Sequence, residues 1–198
     1  MYKIIILFFT MSLSYGQIKP VDIEIVRDAF GVPHIYGKTD ADTAYGLAWV
    51  HSEDDFMTIQ KAYLAGNQLL SNYLANDGII VDFLNQFIES NKTVDELFST
   101  LSDDFIKILE AYSQGINRYA ELHPEEVLVK NLFPITPKKM LNYSFLQLFI
   151  SNGADQLVSK IISNNTVDLS NLGINDDIQG SNTFAFNNNK TKNGETYL

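Results

Sequence analysis

The amino-acid sequence predicts an α+β fold that is mostly helical, with short strands near both ends of the chain. Val21, Ile23 and Ile25 alternate with acidic residues, which is the period of a half-buried strand. Apolar residues recur every three or four positions over residues 103–122, the spacing of an amphipathic helix. Near the C-terminus, Asn193-Gly194 is a dipeptide typical of a tight hairpin turn.

Residues 1–16 have the pattern of a secretory signal peptide. Lys3 supplies the positive charge, residues 4–13 are almost wholly apolar, and the small residues Ser14 and Gly16 precede Gln17. The apolar run is too short to span a bilayer. We therefore expect a periplasmic or secreted protein that has no membrane segment once the signal peptide is removed.

The segment after the first strand predicts a break, a second strand and two helices. Residues 31–33 contain Gly and Pro, which interrupt a strand, and residues 34–36 can resume it. Thr39 can cap a helix whose apolar face carries Ala44, Leu47 and Ala48. A second helix is expected from about residue 52 to residue 65, whereas residues 69–98 show no clear period.

Two further helices are predicted with well-marked ends. The first spans residues 103–122 and ends before Pro124; its stripe consists of Phe105, Leu109, Tyr112, Ile116 and Tyr119. The second begins with Thr136 as N-cap and Pro137 in the first turn. The side chains of this helix expected to face a core are Met140, Leu141, Phe145, Leu148 and Phe149.

Composition excludes several kinds of chemistry. The chain has no Cys, which rules out a disulfide scaffold, a thiolate metal site and a cysteine nucleophile. A net charge of -10 argues against nucleic acid as a partner. The three His (His34, His51 and His123) have no metal-ligand spacing, so structural roles are expected for them. Residues 53–55 are acidic, and we expect a solvated helix start there rather than a cation site.

A linker that leads into a Ser is the most informative feature for function. Residues 163–180 are rich in Asn, Asp, Ser and Gly, and Gly180 precedes Ser181. If the backbone were cut before Ser181, this residue would carry both a hydroxyl and a free α-amine. An α-amine has a pKa of about 7.7–8.0, so it can act as a general base near neutral pH. Gly180 has no Cβ to hinder attack on its carbonyl.

Five segments, in order, resemble the signatures of the penicillin acylase family, which includes penicillin amidases and acyl-homoserine lactone acylases. They are RDAFGVPHI at 27–35, DTAYGLAWVHSED at 42–54, AYSQGIN at 111–117, FPITP at 133–137 and GSNTFA at 180–185. The chain departs from the family pattern in having Phe184 where many members have Trp, and in lacking the Trp of the fourth segment.

The resemblance implies a fold and a maturation pathway. Family members are exported precursors that cut themselves into an α chain and a larger β chain. The implied fold is a helical α-chain segment wrapping an N-terminal-nucleophile (Ntn) hydrolase αββα sandwich, of which this N-terminal fragment holds only the first strands. Residues 17–163 would form the α segment, 164–180 the spacer and 181–198 the start of the β chain. The partner would be the protein's own β chain, in a heterodimer.

The resemblance also implies the site. Ser181 would attack a linear N-acyl amide after cleavage at the Gly180–Ser181 junction. Phe145, Phe149 and Asn152 are the candidate substrate-binding residues, and Asp155 is the candidate ligand of a structural Ca²⁺. The oxyanion-hole donors would lie beyond residue 198, so we expect the fragment itself to be inactive.

Two other interpretations remain open from the residues. One is a non-catalytic exported helical protein that binds a partner through its aromatic faces. The other, a Ser hydrolase that uses a His, is disfavoured because the sequence contains no G-x-S-x-G elbow.

Overall fold

The computed structural model describes residues 23–153, together with the isolated residues 160, 189 and 192. The predictions for residues 1–16, for the spacer 164–180 and for the strands after residue 181 therefore lie outside the described residues. The chain divides into two units, Met1–Val158 and Ser159–Leu198, and the fold below belongs to the first unit.

A small antiparallel hairpin opens the described part. Strand β1 (Glu24–Arg27) pairs with β2 (Pro33–Tyr36), and Ile25 lies opposite Ile35. The carboxylate of Asp28 holds the turn by accepting the backbone N–H groups of Phe30 at 2.8 Å and of Val32 at 3.0 Å. The predicted strand, break and second strand are confirmed for the described residues.

Helix α1 (Asp40–Gly66) consists of two helical segments that meet at a kink, so the prediction of two helices is confirmed, although the second begins later than residue 52. The break lies at Asp55, whose φ of -158° and ψ of 70° are not helical. The Asp55 carboxylate accepts the N–H of Thr58 at 3.0 Å and so acts as an internal N-cap. The predicted cap at Thr39 is confirmed, since it forms a capping box with Asp42. Leu47 is 38% exposed and does not share the buried face of Ala44 and Ala48.

Three short helices occupy the segment in which the sequence showed no clear period. They are α2 (Ser71–Leu74), α3 (Asn76–Phe87) and α4 (Ser90–Leu97). Ala75 and Glu89 separate them with positive φ angles of 49° and 51°. A left-handed backbone at residues other than Gly or Asn gives no sequence signal for a turn, because other side chains rarely adopt it.

Helix α5 (Asp103–Leu122) has the predicted ends, and its stripe is buried at Leu109, Ile116 and Tyr119 and half-buried at Tyr112. Phe105, in the first turn, is 42% exposed, so this first member of the predicted stripe does not lie in the core.

Helix α6 (Pro137–Ser151) begins as predicted, with the Thr136 hydroxyl accepting the N–H of Lys139 at 3.3 Å. Met140 is buried, whereas Leu148 is 61% exposed, so the prediction that Leu148 faces a core is wrong. Leu146 takes the buried position instead, because it lies on the side of the helix that packs with Leu84 of α3.

The core lies where α1 and α5 pack together and where residues 127–135 cross them. Buried Gln60 of α1 is hydrogen-bonded to the start of this crossing segment: its side-chain amide donates to the Glu126 carbonyl at 3.0 Å and accepts the Leu128 N–H at 2.8 Å. The main core cluster comprises Ala48, Phe56, Tyr63, Leu64, Leu70, Leu109, Ile116, Tyr119, Ala120, Leu132, Ile135 and Met140.

None of the helices within residues 23–153 combines the length and the apolar character needed to cross a membrane.

Candidate functional site

The three residues predicted to bind substrate lie together at the C-terminal end of α6. Phe145 and Phe149 are one helical turn apart and half-buried, with ring centroids 5.2 Å apart and ring planes tilted by 52°. Asn152 caps the helix, and its side-chain amide donates to the Leu148 carbonyl at 2.6 Å. The pair of rings offers a partly exposed apolar surface of the kind that lines small-molecule sites.

Close contact with α1 fixes the position of α6. A Cβ added at Gly66 would lie 2.6 Å from the Tyr143 Cβ, so Gly66 lets the two helices touch. Just beyond, Asn67 donates to the Lys139 carbonyl at 3.0 Å and accepts from the Asn142 amide at 3.0 Å. The first half of α6 is therefore held directly against the end of α1.

The remaining predicted site residues cannot be placed. Asp155, Gly180 and Ser181 lie outside the described residues. The nucleophile, the cleavage junction and the calcium ligand thus stay predictions.

The acidic run of α1, residues 53–55, is exposed as predicted, and two of its carboxylates also bind an arginine of the hairpin. Arg27 donates to Asp54 at 2.7 Å and to Glu53 at 3.1 Å. Hydrogen bonds to Asp54 and then Glu53 raise the pKa of the Arg27 guanidinium. Glu53 also accepts the indole N–H of Trp49 at 2.7 Å. All three carboxylates are exposed and Asp55 caps the second segment of α1, as predicted. The sequence did not predict the ion pair with Arg27, because the two partners lie far apart in sequence.

The three His have the structural contacts expected for them. The ring of His34 lies 3.4 Å from Asp28, within the hairpin. His51 shares a hydrogen bond of 2.8 Å with the hydroxyl of Tyr112, which ties α1 to α5. His123, at the end of α5, stacks on Tyr119 with a centroid distance of 4.2 Å.

One group among the described residues could hold a metal ion, and the sequence reasoning did not find it. The ligand atoms of His123, Glu125 and Glu126 all lie within 4.8 Å of one another. A His nitrogen with carboxylates suits zinc, whereas Ca²⁺ takes oxygen ligands, so this group does not correspond to the expected calcium site. The adjacency of these residues in the sequence could have indicated it, although exposed acidic groups are common without an ion.

Comparison with known proteins identifies relatives across the whole described unit and beyond it. The family model described as penicillin amidase matches residues 22–198. Penicillin G acylase of Escherichia coli is 26% identical over 187 residues, which make up 87% of this chain and 21% of that protein. Acyl-homoserine lactone acylase QuiP of Pseudomonas fluorescens is 29% identical over 98 residues, 50% of this chain and 12% of that protein.

A solved structure has the same fold. The thermostable penicillin G acylase from Alcaligenes faecalis matches with a TM-score of 0.57 at 17% identity, over 76% of this chain and 78% of that chain. At that identity the likeness shows the fold alone. The chain spans about a fifth of the length of the Escherichia coli relative.

Proposed function

The chain belongs to the penicillin amidase family, and we propose that it is the N-terminal part of the precursor of an exported acylase that hydrolyses a linear amide bond. One observation carries the proposal: the family match extends through residue 198 and so includes the Gly180-Ser181-Asn182 segment. The acylases named among the relatives support an N-acyl amide as the substrate class.

The proposed chemistry uses the new N-terminus of Ser181. The precursor cuts its own backbone between Gly180 and Ser181, which frees the Ser181 α-amine. This amine, acting through a water molecule, takes the proton of the Ser181 hydroxyl as the oxygen attacks the amide carbonyl. The C–N bond then breaks, the amine leaves with that proton, and an acyl ester remains on Ser181. Water hydrolyses the ester and releases the carboxylic acid.

The proposed acyl group is apolar. The half-buried pair of Phe145 and Phe149 supports this, because aromatic surface favours an aromatic or fatty acyl chain over a charged one. Asn152 caps the helix next to them and would contribute a polar edge.

The remaining parts of the proposal follow from family membership. The protein would mature in the periplasm or outside the cell, as a heterodimer of α and β chains on an Ntn hydrolase αββα sandwich. A structural Ca²⁺ would take the Asp155 carboxylate as one ligand, since Ca²⁺ prefers oxygen donors. No step of the proposed reaction passes through this ion.

The decisive experiment follows cleavage of the precursor by mass spectrometry. We expect two chains, the second of which begins Ser181-Asn182-Thr183. Ser181→Ala should abolish both cleavage and amide hydrolysis, whereas the control Ser170→Ala, which changes a Ser of the spacer, should be cleaved normally. A single uncut chain from the parent, or hydrolysis retained in Ser181→Ala, would overturn the assignment.

A non-catalytic binding protein is the second candidate, and one observation favours it. Helix α3 exposes a face made of Ile79, Ile80, Phe83 and Phe87, with the two Phe rings stacked at 6.2 Å. An exposed apolar patch of this kind marks interaction surfaces. The same cleavage experiment separates the two candidates, because a non-catalytic binding protein is expected to remain a single chain that is not cleaved before Ser181.

A further inference from the structure

A cleft of about 320 Å³ lies between the hairpin and helices α1 and α5. Its volume falls within the range of small-molecule sites. The cleft is mostly apolar, and only Tyr45 and Arg118 bring polar side-chain atoms other than the indole N–H of Trp49. Its full lining is Ile23, Ile25, Tyr45, Gly46, Trp49, Arg118 and Leu122.

Two glycines allow the three elements around this cleft to pack closely. A Cβ added at Gly46 would lie 2.6 Å from a methyl group of Ile35, so Gly46 lets the hairpin lie directly on α1. A Cβ added at Gly115 would lie 2.6 Å from the carbonyl oxygen of Tyr45, so Gly115 lets α5 lie against the same turn of α1. The walls of the cleft are therefore set by close packing of the three elements.

Tyr45 brings an unused hydrogen-bond donor to the cleft. Its side chain is 6% exposed, and its hydroxyl makes no hydrogen bond within the part of the chain that the structure describes. Among the described residues, the buried side-chain polar atom without a partner is Asn142 Oδ1, so the Tyr45 hydroxyl keeps access to solvent at the cleft, where a ligand can reach it. Burial of the side chain raises the pKa of Tyr45, so the hydroxyl keeps its proton at neutral pH and can donate to an acceptor in the cleft.

Arg118 supplies the one charged group that lines the cleft. Its Nη1 donates to Glu121 at 3.1 Å, and both side chains are about half exposed. Among the described residues that is its single ion pair, and a guanidinium has five N–H donors, so most of its donors stay available. A positive charge beside a phenol donor in an apolar cleft is complementary to a carboxylate that carries an apolar tail.

We propose that this cleft binds a small carboxylic acid with an apolar tail, such as a medium-chain fatty acid anion. The carboxylate accepts hydrogen bonds from Tyr45 and Arg118, and the tail packs against Ile23, Ile25 and Trp49. The inference goes beyond the proposed function and does not depend on Ser181. It does place in this cleft the chemical class of acid that amide hydrolysis would release.

The only Trp of the chain reports directly on this site, because Trp49 lines the cleft. Octanoate is titrated into the full chain at neutral pH while the Trp fluorescence is followed. We expect a saturable change with octanoate and none over the same concentration range with octan-1-ol, which has the same tail but no charge.

Variants then test the two polar groups. Arg118→Gln and Tyr45→Phe should each weaken octanoate binding about tenfold, the usual effect of losing a hydrogen bond to a charged group. Glu121→Gln should tighten it about threefold, because it removes an exposed competitor for Arg118. The control Lys107→Gln removes a positive charge from the same helix away from the cleft and should leave binding unchanged.

Circular dichroism of each variant checks that it is folded. The expected gain in octanoate affinity of Glu121→Gln is a result that damage to the fold would not produce. The proposal is overturned if octanoate causes no saturable change, if octan-1-ol binds as well, or if Arg118→Gln and Lys107→Gln have equal effects.

Discussion

Replacing Gly115 by Ala should destabilise the protein, although the same replacement at an open position of a helix stabilises it. The added Cβ would lie 2.6 Å from the carbonyl oxygen of Tyr45 and 2.8 Å from the Cβ of Ala48. Both contacts belong to α1, and neither atom can rotate away, since one is backbone and the other is fixed to it. The clash can be relieved only if α5 moves away from α1.

Two opposing contributions set the magnitude. Ala is favoured over Gly within a helix by about 1 kcal/mol. Overpacking of a close-packed core costs about 1–3 kcal/mol, and the upper end applies here because rigid atoms are involved. The net result is a loss of about 1–2 kcal/mol in the free energy of unfolding, so the sign of the change depends on the close approach of the two helices.

Urea unfolding followed by circular dichroism measures this loss. Gly46→Ala is the graded comparison: its Cβ would meet side-chain methyl groups of Ile35 and Ile23, which can give way more easily than a backbone carbonyl, so its loss should be smaller. Lys107→Ala, on the exposed face of α5, is the control and should change the free energy of unfolding by less than about 0.5 kcal/mol. The reasoning is refuted if Gly115→Ala unfolds at the same urea concentration as the parent, or at a higher one.

Three further predictions test single contacts. Gln60→Leu leaves the Glu126 carbonyl and the Leu128 N–H without partners, and should lower the free energy of unfolding in urea by about 2–4 kcal/mol; an unchanged value would mean that water replaces the amide. Burial raises the pKa of the Tyr63 hydroxyl above about 10, its pKa in the unfolded chain. The stability that the neutral hydroxyl contributes is therefore fully present below about pH 10 and is lost as the pH rises further. Thermal melts should therefore show a smaller alkaline fall in Tyr63→Phe than in the parent, and parallel curves would contradict this. Thr136→Ala removes an N-cap and should lower the free energy of unfolding in urea by about 1 kcal/mol, whereas Thr136→Ser should retain most of that stability. Equal losses in the two variants would contradict the capping role.

The ends of α5 and α6 could be predicted from sequence because their signals are local. Ser102 accepts the N–H of Phe105 as an N-cap, and Thr136-Pro137 opens the next helix. The division of α1 into two segments was predicted as well, but its position at Asp55 was harder to predict, because Asp55 interrupts the helix without ending it. Helices α2 and α3 were missed because the turn between them has Ala75 at positive φ, and because Asp82, from further along the chain, binds the start of α2.

The contacts that position the site depend on tertiary structure, which no local pattern reveals. The ion pair of Arg27 with Glu53 and Asp54 joins residues of two separate signatures. The cleft beside Tyr45 requires Gly46 and Gly115 to bring three elements together. By contrast, Phe145 and Phe149 lie close together because of helical spacing alone, and their role in substrate binding stays a prediction. Ser181, on which the proposed chemistry depends, stays a prediction.

The described signature segments together form a continuous set of contacts that leads to α6. Arg27 fixes the hairpin to α1 through Asp54, and Gly115 brings α5 against α1. Two residues further along α5, Asn117 donates to the Ile135 carbonyl at 2.8 Å and accepts its N–H at 2.7 Å, which places the start of α6.

Each of these residues therefore helps to position α6. Their contacts within the described chain explain their presence in the signatures without a role in a chemical step. The aromatic end of α6, at Phe145 and Phe149, lies beyond the last of them. It follows that the signatures establish the family and the placement of this helix, whereas the proposed acyl specificity would depend on side chains that the signatures do not include. Two family members could keep all four described signatures and still differ in the acyl chain that they accept.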